Sequence, residues 1–219
     1  MATAIIGLPI LFALVWLGEL WTLALAIAAV ALGLAEFYSL VSIKPLWARL
    51  LGIAIGIALV AGTGFQAQIW APPILFIGLA LLFVSYRFLP AHRRFWPMVA
   101  GGPFYLGAAL AYGVLLRGIE DGALWLSLAI AATFAVDTSA YFVGKALGKH
   151  RMAPGISPGK TWEGAGAGLF GGILAFIVLA SLLSLSLAVW KAALLGIAVG
   201  LGAQVGDLLE SALKRANSA

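Results

Sequence analysis

Long apolar runs fill most of this chain and are separated by short segments that contain charges, glycine or proline. The apolar positions do not alternate with polar ones, which excludes the short amphipathic strands of a membrane barrel. A helix of about 20 residues crosses the hydrocarbon core of a bilayer. The runs therefore predict eight helices, roughly at 3–18, 20–39, 48–64, 69–87, 96–116, 123–143, 163–186 and 190–213.

The first two helices are predicted as a tight hairpin divided at Glu19. One continuous helix over 3–39 would be longer than the bilayer is thick. No internal repeat or linker divides the rest of the sequence. We therefore expect an all-α, polytopic integral membrane helix bundle with about eight transmembrane helices, formed by one domain over residues 1–219.

The composition agrees with a protein that lies almost wholly in a membrane. Of its 219 residues, 63% are hydrophobic and 10% are charged, and the mean hydropathy is +1.10. A soluble domain of this size needs more polar surface. The absence of cysteine excludes a disulfide framework, a thiol nucleophile and a cysteine metal site. His92 and His150 are too far apart in sequence to form a metal-spacing motif.

The basic residues are divided unevenly between the two sides of the predicted bundle. With a cytoplasmic N-terminus, the opposite side contains only Arg117 and Lys191. The cytoplasmic segments then contain Lys44, Arg49, Arg87, Arg93, Arg94, Lys145, Lys149, Arg151, Lys160, Lys214 and Arg215. Because cytoplasmic loops are enriched in Lys and Arg, both termini are predicted to be cytoplasmic. The net charge of +5 reflects this topology, since the basic residues form no recognisable nucleic-acid module.

The last predicted helix carries a polar face in an otherwise apolar segment. Asp207, Glu210, Ser211 and Lys214 are spaced i, i+3, i+4 and i+7, so they share one side of the helix. Carboxylates in a membrane helix are costly and are retained mainly for function. Two carboxylates beside cationic groups suit a divalent metal and a phosphate-bearing substrate.

A second group of polar residues lies around the substantial loop predicted at 145–161. Four cations and His150 crowd into this segment, and Thr161 is placed to cap the next helix. A capped helix N-terminus beside Lys160 is a natural phosphate site, although an ordinary positive-inside loop would have the same charge. The segment is not expected to be a P-loop, because its glycines are spaced four apart and no strand is predicted before it. Glu163 is equally suited to a role with the helix dipole and to a role in a site.

Asp137 is predicted inside helix six, a few turns from its cytoplasmic end. A buried intramembrane Asp indicates function, with a structural hydrogen bond to a neighbouring helix as the alternative. Asp137, Asp207 and Glu210 are expected at a similar depth below the cationic loop. Three carboxylates at one level predict a metal and polyphosphate site.

Glycines recur at intervals of four residues in three of the predicted helices. This spacing lets helix backbones approach closely, within one chain or across a homodimer. The positions are Gly52 and Gly56, Gly164, Gly168 and Gly172, and Gly196 and Gly200.

Four segments together resemble the phosphatidate cytidylyltransferase (CDP-diacylglycerol synthase) family: 137–141, 148–150, 156–164 and 206–215. The stretches Ser-Pro-x-Lys-Thr-Trp-Glu-Gly and Gly-Asp-Leu-x-Glu-Ser are specific, and order and spacing agree from about residue 85 onwards. The resemblance implies that the phosphate of phosphatidate attacks the α-phosphate of CTP, giving CDP-diacylglycerol and pyrophosphate. It implies a Mg²⁺ requirement and leaves open a second, monovalent cation. It also suggests a bacterial inner membrane and an active site that faces the cytoplasm.

The resemblance also implies residue roles. Asp137 and Asp207 would be metal carboxylates. The phosphates would be held by Lys145, Lys149, Lys160, Lys214 and Arg215, and the site would be shaped by Ser157, Thr161, Glu163, Glu210 and Ser211. The family pattern continues after the Lys-Arg pair with a Lys-Asp pair, a His-Gly-Gly turn, an Asp-Arg-x-Asp stretch and a last helix. The sequence here stops at Ala219, so it is expected to be a fragment or a decayed homologue.

Three other functions fit the same residues. A CTP-dependent polyprenol or phytol kinase would transfer the γ-phosphate to a lipid alcohol and release CDP. A transporter would use Asp137 and Asp207 along a path, but no repeated half supports one. A non-catalytic membrane partner is the third alternative.

Overall fold

The computed structural model describes residues 2–64 and 96–217, which are almost entirely helical. Its elements are α1 (Ala2–Leu17), α2 (Glu19–Leu40), α3 (Leu46–Gly64), α4 (Trp96–Gly102), a π-helical turn (Pro103–Gly107), α5 (Ala108–Arg117), α6 (Gly122–Leu147), β1 (Arg151–Ala153), β2 (Ser157–Thr161), α7 (Trp162–Leu182) and α8 (Val189–Asn217). The all-α prediction is confirmed. The predicted helix at 69–87 lies outside the described residues, as do Arg87, His92, Arg93 and Arg94.

Within the described part of the chain, six helical segments are long and apolar enough to cross a membrane. They are Glu19–Leu40, Leu46–Gly64, Met98–Arg117, Gly122–Leu147, Trp162–Leu182 and Val189–Arg215, and a shorter apolar helix covers Gly7–Leu17. The protein is therefore a polytopic integral membrane protein.

The first two helices are separate, as predicted, but the break falls at Gly18 and Glu19 is the first residue of α2. Gly18 has a φ of 133°, which residues with a Cβ rarely adopt. The chain therefore leaves α1 at a residue that has the freedom to make the turn. The prediction placed the break one residue late, at Glu19.

The chain divides into two compact units, Met1–Ala123 and Leu124–Ala219. In the first unit, helices α2, α3, α4 and α5 share an apolar core. Tyr38 is fully buried there and donates a hydrogen bond from its hydroxyl to the carbonyl of Val99 at 3.0 Å. Its ring lies directly against Gly52, where a Cβ would overlap the hydroxyl. Close packing at Gly52 is therefore confirmed.

The predicted helix at 96–116 is present but contains a local change of winding. Residues Pro103–Gly107 form a π-helical turn between α4 and α5. Proline has no backbone N–H to donate, so the regular hydrogen-bond ladder is interrupted there. The sequence pattern predicts the apolar span but not this turn.

In the second unit, α7 shows two stripes that run along the helix at intervals of four residues. Small or apolar residues are buried on one side: Gly164, Gly168, Gly172, Phe176 and Ala180. Large apolar residues are exposed on another: Phe170, Leu174, Val178 and Leu182. Such an arrangement, with small residues inside and large apolar ones outside, is typical of a helix that packs on protein and faces lipid.

Helices α7 and α8 approach closely through their glycines. A Cβ on Gly196 would lie 2.6 Å from the Cα of Ile173 and 2.9 Å from the carbonyl oxygen of Gly172. These neighbours are backbone atoms, which do not move aside as a flexible side chain does. The predicted close packing of the glycine-spaced helices is confirmed within this unit.

The predicted loop at 145–161 is wrong at both ends. Helix α6 continues to Leu147, so Lys145 is helical, and residues 151–161 form an antiparallel hairpin. Arg151 pairs with Thr161 and Ala153 with Ser157, with one irregularity between these pairs. The turn at Pro154 and Gly155 is closed by a hydrogen bond from Ile156 N to the carbonyl of Ala153.

Candidate functional site

A cavity of about 770 Å³ lies within the second unit, at the ends of α6, α7 and α8 that meet the hairpin. It is lined by Asp137, Ala140, Tyr141, Gly144, Lys145, Gly148, Arg151, Met152, Ser157, Gly159, Lys160, Thr161, Gly164, Ala165, Gln204 and Asp207. The lining combines three cations and two carboxylates with small residues. Six of the predicted site residues are among these: Asp137, Lys145, Ser157, Lys160, Thr161 and Asp207.

Helix α6 supplies Asp137, Tyr141 and Lys145 to this cavity. Their spacing of four residues places them on one face of the helix. The ammonium of Lys145 lies 5.7 Å from the centre of the Tyr141 ring, within the range of a cation–π contact. The helix thus presents an acid and a cation on one face, eight residues apart.

The hairpin brings Arg151, Ser157 and Lys160 to the same space. Lys160 Nζ is buried and lies 2.6 Å from Oδ2 of Asp207. The contact is ionic, because Nζ has no aligned hydrogen-bond acceptor among the described residues. This pair joins β2 to α8, which are distant in the sequence.

Helix α8 supplies Gln204 together with Asp207, one turn apart. Gln204 donates from Nε2 to the carbonyl of Ala165 at 3.0 Å, which fixes its amide against α7. Asp137 lies close enough to Asp207 and Lys160 to interact with the charge of both. Among residues 2–64 and 96–217, no three acidic or histidine side chains form a metal cluster by themselves.

The start of α7 forms one wall of the cavity, and the predicted cap at Thr161 is confirmed. Its hydroxyl accepts a hydrogen bond from Gly164 N at 3.1 Å. Gly148 packs so closely on Thr161 that a Cβ there would lie 2.8 Å from Oγ1. Glycines thus let the end of α6 approach the capped end of α7.

The other predicted site residues are not among the cavity-lining side chains. Glu210 pairs with Lys214 at 2.5 Å, one turn along α8. Of the three expected carboxylates, Asp137 and Asp207 line the cavity and Glu210 does not. Arg215 donates from Nε to the carbonyl of Ile156 at 3.2 Å and so holds the hairpin tip. Ser211 lies half-buried on α8, one residue beyond Glu210.

Lys149 and Glu163 also lie outside the lining residues, and they contact each other. The Glu163 carboxylate accepts a hydrogen bond from Lys149 N at 3.2 Å and contacts the ring of His150. The Glu163 side chain thus binds the turn between α6 and β1.

Sequence reasoning missed Tyr141, Arg151 and Gln204 as lining residues. Tyr141 lies four residues after Asp137, which was a usable signal for a shared helical face. Gln204 precedes Asp207 by three residues in an apolar helix and was visible in the same way. Arg151 was counted only among the loop cations, because its direction depends on the hairpin.

Comparison with known proteins assigns the family. A model of the cytidylyltransferase family matches residues 1–218. A phosphatidate cytidylyltransferase of Brucella abortus biovar 1 (strain 9-941) is 33% identical over 222 residues, which cover 97% of this chain and 78% of that protein. One from Staphylococcus haemolyticus (strain JCSC1435) is 33% identical over 143 residues, covering 64% of this chain and 54% of that protein. The chain belongs to the cytidylyltransferase family.

Proposed function

We propose that the protein is a CTP:phosphatidate cytidylyltransferase that makes CDP-diacylglycerol and pyrophosphate. The observation that carries this proposal is the cavity itself. It places two carboxylates, Asp137 and Asp207, and three cations, Lys145, Arg151 and Lys160, at one end of a set of membrane-spanning helices. The relatives named phosphatidate cytidylyltransferase support the same reaction.

The reaction brings together two groups that repel each other. A phosphate oxygen of phosphatidate attacks the α-phosphorus of CTP, the bond to the bridging oxygen breaks, and pyrophosphate leaves. No covalent intermediate with the protein is needed, so the protein must mainly position and neutralise the phosphates. Lys145, Arg151 and Lys160 are the cavity cations that would do so, with Ser157 as a neutral hydrogen-bonding group.

The acidic side chains of the cavity fit Mg²⁺. This ion is commonly held by one or two carboxylates together with substrate phosphates, and Asp137 and Asp207 would be those carboxylates. When bound, Mg²⁺ would neutralise developing charge on the triphosphate. A second, monovalent cation stays a prediction, and so do direct roles for Lys149, Glu210, Ser211, Lys214 and Arg215.

The bacterial relatives favour a bacterial inner membrane as the location. The site would face the cytoplasm, where CTP is available and where the positive residues of the hairpin are favoured. The homodimer stays a prediction, since the exposed apolar faces suit lipid equally well.

The test is to incubate the purified 219-residue chain in phospholipid nanodiscs with phosphatidate, CTP and Mg²⁺. We expect CDP-diacylglycerol and pyrophosphate in equal amounts. A lipid-alcohol kinase would instead release CDP and a phosphorylated alcohol when polyprenol or phytol is supplied. CTP left unchanged by a folded chain would contradict the proposed function.

Removal of divalent metal provides a separate prediction. We expect EDTA to lower product formation by roughly 100-fold or more, because two carboxylates would then face the triphosphate without a neutralising ion. Added Mg²⁺ should restore the rate, and added Na⁺ at equal ionic strength is the control. Full activity in EDTA after exhaustive dialysis would show that Asp137 and Asp207 serve another purpose.

A further inference from the structure

The turn between α6 and β1, residues 148–150, adjoins the cavity through Gly148. Lys145 lines the cavity just before this turn, and Arg151 lines it just after the turn. The turn itself therefore sets the distance between two of the three cavity cations. His150 and Lys149 in this turn do not line the cavity.

The carboxylate of Glu163 is bound to this turn through three N–H groups. Oε2 accepts from Lys149 N at 3.2 Å and from His150 N at 3.2 Å, and Oε1 lies 2.6 Å from Nδ1 of the His150 ring. In addition, Trp162 N donates to the carbonyl of His150 at 3.0 Å. His150 is thus held through its N–H, its carbonyl and its ring, all by the first two residues of α7.

These contacts are formed although the groups are near the surface. The His150 side chain is 77% exposed and that of Glu163 is 27% exposed. An ion pair at such exposure contributes little to stability in general. The three hydrogen bonds that this one carboxylate accepts from two consecutive residues do, however, fix the position of the turn, because all the donors lie in one short segment.

We propose that Glu163 and His150 are positioning residues for the cytidylyltransferase reaction. Together they hold the 148–150 turn on the start of α7 and so keep Lys145 and Arg151 at the spacing that a triphosphate requires. This inference rests on the proposed function. It assigns Glu163 an indirect role through the turn, with no contact to substrate.

The test uses the full chain in nanodiscs with Glu163→Gln, His150→Ala and His150→Asn. Gln places an N–H₂ group among three donors and breaks the contact. Ala removes the ring donor, whereas Asn keeps a donor near the position of Nδ1. The matched control is Glu120→Gln, at an exposed acid in the first unit.

Two readouts are measured on each variant: kcat and KM for CTP, and the rate of limited tryptic cleavage after Arg151. The cleavage rate reports how well the turn and the hairpin are ordered, and it does not depend on enzyme activity. We expect Glu163→Gln and His150→Ala to lower kcat/KM by roughly tenfold or more, mostly through KM, because Lys145 and Arg151 would bind the triphosphate less well when their spacing is lost. Cleavage after Arg151 should accelerate in both, while His150→Asn and Glu120→Gln remain near wild type.

Several results would overturn the proposal. Wild-type kinetics in both Glu163→Gln and His150→Ala would show that neither side chain positions the cavity cations. Lost activity with an unchanged cleavage rate would place Glu163 in the chemistry itself. If the wild-type chain made no CDP-diacylglycerol, the proposed function would fail, and unchanged cleavage in the variants would separately exclude the ordering of the turn. His150→Ala, at an exposed side chain, keeps the test valid if Glu163→Gln does not fold.

Discussion

Replacing Asp207 with Asn is expected to reduce CDP-diacylglycerol formation by roughly 100-fold or more while the protein still inserts and folds. The substitution removes one of the two cavity carboxylates that would hold Mg²⁺. It also leaves the buried ammonium of Lys160 without its anionic partner at 2.6 Å. Both effects act on the reacting phosphates, since Lys160 and Asp207 line the same cavity.

The measurement is product formation by Asp207→Asn across a range of Mg²⁺ concentrations. Asp121→Asn is the matched control, because Asp121 lies in a turn of the first unit with a φ of 56° that Asn also tolerates. A partial rescue at high Mg²⁺ would agree with weakened metal binding. Near-normal turnover in Asp207→Asn at low Mg²⁺ would contradict a metal role for this carboxylate.

Replacing Gly196 with Leu is expected to separate α7 from α8 and to unfold or seriously distort the second unit. The Cβ alone would lie 2.6 Å from the Cα of Ile173, and the rest of the side chain has no space between the two backbones. Overpacking in a well-packed interior costs about 1–3 kcal/mol, and contact with backbone atoms places this substitution at the upper end.

Gly202→Leu is the control on the same helix, because among the described residues no atom beyond the neighbouring backbone of its own helix lies within 4 Å of the position of its Cβ. The two variants are compared by heating them in detergent and measuring the fraction of protein that remains monodisperse at each temperature. We expect a large loss of stability for Gly196→Leu and little change for Gly202→Leu. Equal stability of the two variants would show that the helices do not pack through Gly196 in the membrane.

The sequence predicts the helices well because their signal is local. Apolar runs of about 20 residues are read directly from the chain, and Thr161 is recognised as a cap from its neighbours. The same is true of the glycines at intervals of four. Each of these features depends on residues within one or two turns of one another.

The parts that the sequence did not predict depend on contacts between distant residues. Hairpin pairing of Arg151 with Thr161 sets the direction of Lys160, and its partner Asp207 lies on another helix. Glu210 is predicted on the same helix face as Asp207, but its carboxylate pairs with Lys214 on its own helix. Helical periodicity shows which residues share one face of a helix, but it does not show which other element packs against that face.

The burial of one ammonium in this cavity has a consequence for chemical labelling. Amine-reactive reagents need access to an unprotonated nitrogen. Lys145, Lys149 and Lys191 are exposed, whereas Lys160 Nζ is covered and lies 2.6 Å from Oδ2 of Asp207. Acylation should therefore spare Lys160 until the ion pair opens. The extent of its labelling, read by mass spectrometry, would then report how often Lys160 exchanges Asp207 for an external anion.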